Sequence, residues 1–363
     1  MSVQTVGVIG GGALGLTAAV ELAKRDVSVT VFERDELGSG ATGRAAGICY
    51  DAYADRRDGA IAVESLERFR ELGLLQECPY LWFAREDDEI AAAIESQARR
   101  MQENGRDVSL LEADSLGDRF PGLITDDIEI AAVARNSGYL DTTRYIDALA
   151  DEADRTDVTV RTGSPATVEA NGKIQSGAET HAFDAVLVAA GARSKQVLAK
   201  TNVELAVGLY RTQVLTAGPL EGELPIYYDA SEEWYARPTS DGILAGDGSH
   251  MYEGSPGSYE RSADEEFITG RLDLLENRVG AGLRLRDSWA GLCTATPDRN
   301  PLLGECDSGI YVGTGLCGHG FMRAPALGKR VAVQILGEDG IDAFDPQRFD
   351  GDEEIDLPVG VTD

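Results

Sequence analysis

The chain has 363 residues, of which 43% are hydrophobic, so it is long enough to bury a sizeable core and to form two domains. It carries 63 acidic and 33 basic residues, which gives a formal net charge of −30. Such a surface repels nucleic acids and anionic membranes, and we expect neither as a partner.

Two interpretations of this charge are open: binding of cationic partners, or an acidic shell suited to molar salt. The acids are spread along the whole chain and lysine is scarce, so we favour the second, because the composition resembles that of proteins from extreme halophiles. No apolar run is long enough to span a membrane, and the first predicted strand starts too early for a signal peptide. The scattered cysteines form no C-x-x-C pair, so we expect neither disulfides nor a metal site, and a cytoplasmic location.

The first elements form a βαβ unit. Residues 6–9 predict a buried strand, residues 16–24 a helix rich in Ala and Leu, and residues 27–32 a second strand that ends before Glu33. The first strand and the helix are joined by residues 10–15, GGGALG, a G-x-G-x-x-G match.

The glycines of this match and the following acid point to a dinucleotide. Gly10 allows a tight turn, Gly12 lets the backbone approach a pyrophosphate, and Gly15 lets helix and strand pack closely. The helix N-terminus presents free N–H groups to phosphate. Glu33 is placed to accept hydrogen bonds from ribose hydroxyls. A glycine-rich turn in an ordinary α/β protein is the alternative.

The rest of the chain alternates between helical and strand periodicity. Residues 38–48 form a loop of small residues suited to a flat ligand, residues 110–121 a loop with a short helical turn, and residues 138–141 a turn whose Asp141 caps a helix. Residues 315–322 form a glycine-rich turn before the last helix, and from residue 337 we expect a loose acidic tail without function. Helices are predicted at 61–74, 87–104, 142–155, 264–278 and 324–336, and strands at 80–84, 129–134, 158–161, 166–169, 183–191, 210–216, 226–228, 234–237, 242–246, 283–289 and 310–313.

Four segments, residues 10–15 with Glu33, 38–48, 289–298 and 315–325, together resemble the flavin-dependent D-amino-acid oxidase family, which includes glycine oxidase, sarcosine oxidase and amino-acid dehydrogenases. The resemblance spans nearly the whole chain. It implies an α/β plus α+β fold in which a Rossmann-type FAD-binding domain carries an antiparallel-sheet substrate domain. The expected FAD-binding domain is residues 1–79, 141–209 and 290–340, the substrate domain residues 80–140 and 210–289, and the acidic tail residues 341–363.

The resemblance implies FAD, bound non-covalently, because Gly291 stands where some members attach the flavin to a cysteine. By position it places Ala13 and Leu14 at the pyrophosphate, and it places residues 316–322 at the pyrimidine edge of the flavin. The cofactor-binding residues that it implies are Gly10, Gly12, Ala13, Leu14, Gly15, Glu33, Arg34, Ala41, Thr42, Ala46, Gly47, Ile48, Ala166, Gly191, Leu316, Cys317, Gly318, His319, Gly320, Phe321 and Met322.

The substrate side departs from the family pattern. Cys293 stands where relatives keep an Arg that anchors the substrate carboxylate, or a Tyr, and Met322 and Leu244 stand where sarcosine oxidases keep lysines. Tyr235 matches a pocket tyrosine of the family, and a core aromatic is its alternative. His319 is either a proton carrier or a structural turn histidine.

The expected catalytic residues are therefore Tyr235, His319, Cys293 and Arg323. Three cations can compensate for the missing lysines: Arg44 near the flavin ring, Arg237 in the sheet and Arg323 beside the last turn. We expect one of them to replace the missing carboxylate anchor, and Arg323 is the best placed because it adjoins Met322. Cys317 is expected to be a packing residue rather than a redox thiol.

The resemblance implies oxidation of a C–N bond of a small amino acid or amine to an imine, by hydride transfer to flavin N5. Because Leu244 replaces a lysine linked to oxygen activation, we expect a dehydrogenase with a quinone or carrier flavoprotein as electron acceptor rather than oxygen. An FAD-dependent 2-hydroxy-acid dehydrogenase and a flavin-binding subunit of a larger complex are the alternatives. A nicotinamide dehydrogenase would share only the first motif. The sequence does not indicate the oligomeric state.

Overall fold

The computed structural model describes residues 3–85, 88–220, 222–280, 282–351 and 353–357. Within these residues the strands form two large sheets and two small ones. None of the helices in this part of the chain is long and apolar enough to cross a membrane. The α-helices of the described residues are Ala13–Ala23 (α1), Arg56–Glu71 (α2), Asp88–Glu103 (α3), Ala113–Arg119 (α4), Thr142–Asp154 (α5), Ser194–Val197 (α6), Glu265–Val279 (α7) and Gly320–Ile335 (α8).

The first large sheet is built on the predicted βαβ unit. Thr5–Ile9 pairs in parallel with Ser28–Phe32 on one side and with Ala185–Val188 on the other. The two central strands, Thr5–Ile9 and Ala185–Val188, are buried almost throughout because helices or loops cover both faces of the sheet. Along the sheet the strands lie in the order Leu302–Asp307, Ile310–Thr314, Ala185–Val188, Thr5–Ile9, Ser28–Phe32 and Val158–Arg161.

Helices α1, α2, α5 and α8 share one hydrophobic core with one face of this sheet. Helix α1 is buried nearly all round because it lies between the sheet, α5 and α8. Gly328 lets α8 approach closely, since a Cβ there would lie 2.7 Å from the Thr17 Cβ. On the opposite face, α6 and a small sheet of Ala166–Val168, Ile174–Ser176 and Glu179–His181 pack over Val186 and Val188.

The second large sheet is mostly antiparallel, and its side chains alternate between two faces as pleated strands require. Phe83, Tyr227 and Trp234 point into a core with α4 and α7. Their chain neighbours Trp82, Tyr228 and Tyr235 line a cavity on the other face. The strand order is Arg284–Ala295, Gly208–Gly218, Ile243–Met251, Trp234–Pro238, Ile226–Asp229, Tyr80–Ala84, Ile130–Ala134 and Val108–Glu112.

The predicted α/β plus α+β fold class is confirmed, but several local predictions were wrong. The short helical turn expected within 110–121 corresponds to α4, but the expected loop begins inside the strand Val108–Glu112. The expected turn at 138–141 overlaps the strand Ser137–Tyr139, which pairs with Ile48–Tyr50 and Gln76–Glu77. The strand Leu302–Asp307 was not predicted. As predicted, Asp141 caps α5, because its side chain accepts from the Thr143 N–H.

The expected loose tail was also wrong for the described residues up to 357. The Phe344 side chain is fully buried in the core of the first sheet. Ile355 and Leu357 pack against Tyr210, Ala295 and Cys317. The remainder of the predicted tail, residues 358–363, lies outside the described residues.

Candidate active site

Side chains of both large sheets line one elongated cavity of about 1110 Å³. At one end lie the glycine-rich turn after Thr5–Ile9 and the end of Ser28–Phe32. At the other end the lining reaches Gln97 and Met101 on α3. The volume is at the upper end of the range for small-molecule sites, which is suited to a large cofactor together with a substrate.

The glycines of the first turn are required by its geometry. Gly10 has φ +118°, and a Cβ there would lie 2.4 Å from the Ala189 carbonyl oxygen. A Cβ on Gly15 would lie 2.1 Å from the Gly10 carbonyl oxygen, so Gly15 serves close packing and does not itself line the cavity. The turn thus brings its backbone close to whatever occupies this end.

The N-terminus of α1 forms an anion cradle beside this turn. No side chain caps the helix at Gly12 and no acid stands in its first turn. The Thr42 hydroxyl accepts a 3.1 Å hydrogen bond from the Ala13 N–H, which holds the loop 38–48 against the helix. Free N–H groups and the positive end of a helix dipole fit a pyrophosphate.

Glu33 borders the same end and is held by the backbone. Its Oε2 accepts from the Gly11 N–H at 2.7 Å and its Oε1 from the Asp35 N–H at 2.9 Å. Each carboxylate oxygen retains acceptor capacity for a ribose hydroxyl. Arg34 pairs with Asp35 here, and burial together with the Arg34 charge lowers the pKa of nearby Arg193.

Residues 45–48, in the middle of the cavity, have a fixed backbone. The Arg237 Nε donates to the Ala46 carbonyl oxygen at 2.5 Å, and the Trp289 Nε1 donates to the Arg44 carbonyl oxygen at 3.0 Å. Gly47 has φ +71°, and a Cβ there would lie 2.1 Å from the Leu140 carbonyl oxygen. This rigid edge of small residues suits a flat ring.

The turn before α8 faces the same part of the cavity. The Thr294 hydroxyl accepts from the N–H groups of Gly315 and Leu316, and the Thr294 carbonyl accepts from the Cys317 N–H at 2.8 Å. Helix α8 starts after His319 with no side-chain cap and no acid in its first turn. Its dipole therefore stabilises negative charge on a bound ring system. The anion cradle at the N-terminus of α1, the ribose acceptor Glu33 and the flat slot between residues 45–48 and the turn before α8 together fit FAD.

Three of the four expected catalytic residues come together at this slot: Tyr235, His319 and Cys293 line the cavity. The Tyr235 ring lies against Gly246, where a Cβ would be 2.4 Å from its Cζ. Burial raises the pKa of the Cys293 thiol to about 12. Burial, followed by the Arg323 charge, lowers the pKa of His319 to about 4, and its Nε2 lies 3.3 Å from the Tyr50 hydroxyl. All three side chains are therefore uncharged near neutral pH.

Arg323 is placed elsewhere. It is buried, it is not among the described residues that line the cavity, and its Nη2 donates to Asp58 Oδ1 at 2.6 Å. The geometry therefore does not support Arg323 as a carboxylate anchor. Arg44 does line the cavity, but its Nη1 donates to the Ser39 and Gly40 carbonyls. Apart from Gly15, Arg237 and Arg323, every expected site residue lines the cavity.

Sequence reasoning missed three aromatic side chains of the cavity wall, Tyr50, Tyr80 and Trp82, and one acid. Tyr50 and Tyr80 stack with ring centroids 4.4 Å apart, and Tyr80 stacks on Trp82 at 5.7 Å. Asp247 lines the cavity with Thr212 and Ser249. An acid flanked by two glycines within a strand was the available signal for this residue.

A parallel sheet with a phosphate cradle is joined through one cavity to an antiparallel sheet with an aromatic wall, and this combination defines the architecture of a flavoenzyme. The matching family model is the DAO family, described as FAD dependent oxidoreductase, and it covers residues 5–334. The chain belongs to this family, and FAD is its cofactor.

Among curated proteins, the chain is similar to glycine oxidase of Bacillus licheniformis, with 28% identity over 94% of this chain and 96% of the relative. It is also similar to gamma-glutamylputrescine oxidoreductase of Escherichia coli, with 24% identity over 94% and 84%. Among solved structures, L-proline dehydrogenase of P. horikoshii has the same fold, with a TM-score of 0.87, 24% identity and coverage of 96% and 98%. The chain is an FAD-dependent oxidoreductase whose homologues act, by their names, on amino acids and amines.

Proposed function

We propose that the chain oxidises a C–N bond of a small amine or amino acid to an imine, which water then hydrolyses to a carbonyl compound and an amine. FAD, when bound, supplies the two-electron oxidant by accepting the hydride of the substrate carbon. The observation that carries the proposal is the slot between residues 45–48 and the turn before α8, which opens onto Tyr235 and the aromatic wall. The names of the relatives support the substrate class.

The protein's part in this reaction is orientation. The pKa of about 4 makes the His319 imidazole a weak base, and burial keeps the Cys293 thiol and the Tyr235 phenol protonated, so we propose no strong side-chain base at the reacting bond. A substrate that reacts as the neutral amine needs none. His319 can accept a hydrogen bond from a substrate N–H, and correct placement of the reacting carbon supplies much of the barrier reduction.

We propose further that the enzyme is a dehydrogenase that passes electrons to a quinone or a carrier flavoprotein. A free cation near the flavin favours reaction with oxygen, because it stabilises superoxide as it forms. Arg44 and Arg237 donate to backbone carbonyls, and Arg323 is paired with Asp58. Leu244 is apolar and buried, although it is not among the described residues that line the cavity.

The first experiment is an anaerobic substrate panel with the FAD-loaded protein in about 2 M KCl. Loss of flavin absorbance with amines or amino acids is expected, and loss only with 2-hydroxy acids would overturn the proposal in favour of C–O oxidation. If none of the compounds reduced the flavin of the purified protein, a subunit that needs a partner would be indicated instead. Admitting air to the reduced protein then tests the acceptor: reoxidation over minutes with fast dye reduction supports a dehydrogenase, and reoxidation within milliseconds contradicts it.

The environment and the cofactor attachment are also proposals. All five cysteines are free, which supports a reducing, cytoplasmic compartment. The surplus of acids supports a halophilic surface. Gly291 offers no thiol to the flavin and its neighbour Arg44 packs against it, which supports non-covalent FAD. Acid precipitation should release the flavin into the supernatant, and flavin that stayed with the pellet would contradict non-covalent binding.

A further inference from the structure

The cavity contains a carboxylate for which the proposed chemistry has no use. Asp247 lies on Ile243–Met251, one residue past the position that pairs with Tyr235. Its Oδ1 accepts a 2.7 Å hydrogen bond from the Thr212 hydroxyl and another from the Ser249 hydroxyl. Among the described residues, none donates a hydrogen bond to its Oδ2. Two hydroxyls thus fix the carboxylate, and one oxygen stays available to a ligand.

The charges around Asp247 leave this part of the cavity negative. Burial is the main cause that raises the pKa of Tyr235, and the charge of Asp247 is the second largest. The two groups are therefore close. Arg271 is the nearby cation: burial lowers its pKa, and the charge of Asp247 is the largest effect that opposes this. Its guanidinium, however, stacks over Trp234 and Phe267 on the other face of the sheet and is not among the described residues that line the cavity. Of the cations that do line the described cavity, Arg34, Arg193 and Arg261 lie on segments that border the dinucleotide end, and Arg44 donates to the Ser39 and Gly40 carbonyls.

The aromatic wall belongs to the same part of the cavity. Tyr228 pairs with Tyr235 across neighbouring strands, and Tyr235 pairs in turn with Gly246, the residue before Asp247. Tyr50, Tyr80 and Trp82 continue the wall as a stacked row. Ring faces are negative and attract ammonium groups, and the half-buried carboxylate of Asp247 attracts a partner of opposite charge. An ammonium group can contact the aromatic ring faces and also pair with the carboxylate, whereas a substrate carboxylate would be repelled by Asp247.

We propose that Asp247 binds a cationic amino group of the substrate that is separate from the C–N bond to be oxidised. The substrate class is therefore an extended amine with a second ammonium group, such as a diamine, rather than a simple amino acid. This inference rests on the proposed amine oxidation. Asp247 is a specificity-determining residue in it and takes no part in the redox step.

The test compares 1,4-diaminobutane with n-butylamine, which differ in the second amino group. The FAD-loaded wild type should reduce its flavin with the diamine at a KM at least about tenfold lower than with the monoamine. D247N should raise the KM for the diamine about ten- to hundredfold, the range of a hydrogen bond to a charged group, with kcat changed less than about threefold. Its KM for butylamine should stay within about twofold. E253Q, which removes an exposed carboxylate just after the same strand, should change neither the KM for the diamine nor the KM for butylamine.

The outcomes separate this inference from the proposed function. Amine oxidation with equal KM values for the two amines, or an equal effect of D247N on both, overturns the role of Asp247 and leaves the proposed function standing. If no amine or amino acid reduces the flavin, the proposed function fails, and binding of tetramethylammonium, which carries no N–H, decides the cation site. Calorimetric binding that D247N weakens and E253Q does not supports the site. Absent binding, or binding that D247N leaves unchanged, overturns it.

Discussion

The Nη2 of Arg323 lies 2.6 Å from Oδ1 of Asp58, and this ion pair joins the first turn of α8 to the first turn of α2. The two side chains are only 5% and 15% exposed, and the rings of Tyr53 and Phe344 lie under the guanidinium at 5.7 Å. A cation held in this way serves the packing of two helices, and it also lowers the pKa of His319 beside it.

We therefore expect R323M to act on stability. Removing one member of a buried pair costs up to about 3–5 kcal/mol, and here the cost is reduced because Arg57 Nε remains 3.4 Å from Asp58 Oδ1. K329M is the matched control on the same helix, because Lys329 forms an exposed pair with Glu64 and should cost no more than about 1 kcal/mol. Urea unfolding in high salt measures both. A loss of substrate affinity in R323M at unchanged unfolding free energy would contradict a structural role.

His319 makes stability depend on pH. Its pKa falls from about 6.5 in the unfolded chain to about 4 in the fold, so between these values the unfolded state binds a proton that the native state does not. Stability is therefore lost as pH falls through this window. H319Q should lose less than the wild type, by about 2 kcal/mol between pH 7 and pH 5, at 1.36 kcal/mol per pKa unit. If the two proteins lost the same unfolding free energy between pH 7 and pH 5, this prediction would be refuted.

The predicted parts of the fold are those whose signals are local. The first turn was readable because φ +118° at Gly10 and the close contact at Gly15 each demand glycine. The strands Val108–Glu112 and Leu302–Asp307 were not, since both are edge strands that end in acidic residues and are defined by partners elsewhere in the chain. Pairing, rather than propensity, decides such segments.

The same distinction applies to the site. The residues expected to border FAD lie in or beside glycine-rich turns. Their positions in the sequence were therefore enough to predict that they line the cavity. The role expected for Arg323 depended on Asp58, a partner 265 residues away that no spacing reveals. Asp247 became visible only when the strand Ile243–Met251 proved longer than the predicted 242–246, which carried the acid into the cavity wall.

The segment after α8 should contribute to stability. Phe344 is fully buried, and Arg57 stacks over its ring at 4.8 Å. F344A should lower the unfolding free energy by about 3–5 kcal/mol, the usual cost of truncating a buried aromatic. I124A, at a side chain that is 44% exposed, should stay within about 0.5 kcal/mol. If both variants unfolded at the wild-type urea concentration, residues 337–357 would be a dispensable tail after all.

The last prediction concerns salt. The surplus of 30 negative charges repels itself in dilute buffer, where the screening length is ~10 Å at 0.1 M compared with ~3 Å at 1 M. Surface pairs such as Arg155–Asp151, with both side chains 70% exposed, add too little to offset that repulsion. We expect the melting temperature to rise by at least about 5 °C from 0.1 M to 2 M KCl, which corresponds to one to a few kcal/mol. Sucrose, which strengthens burial without screening charge, is the control and should give less. Equal gains in sucrose and KCl, or none in KCl, would show that the acidic surface is not adapted to salt.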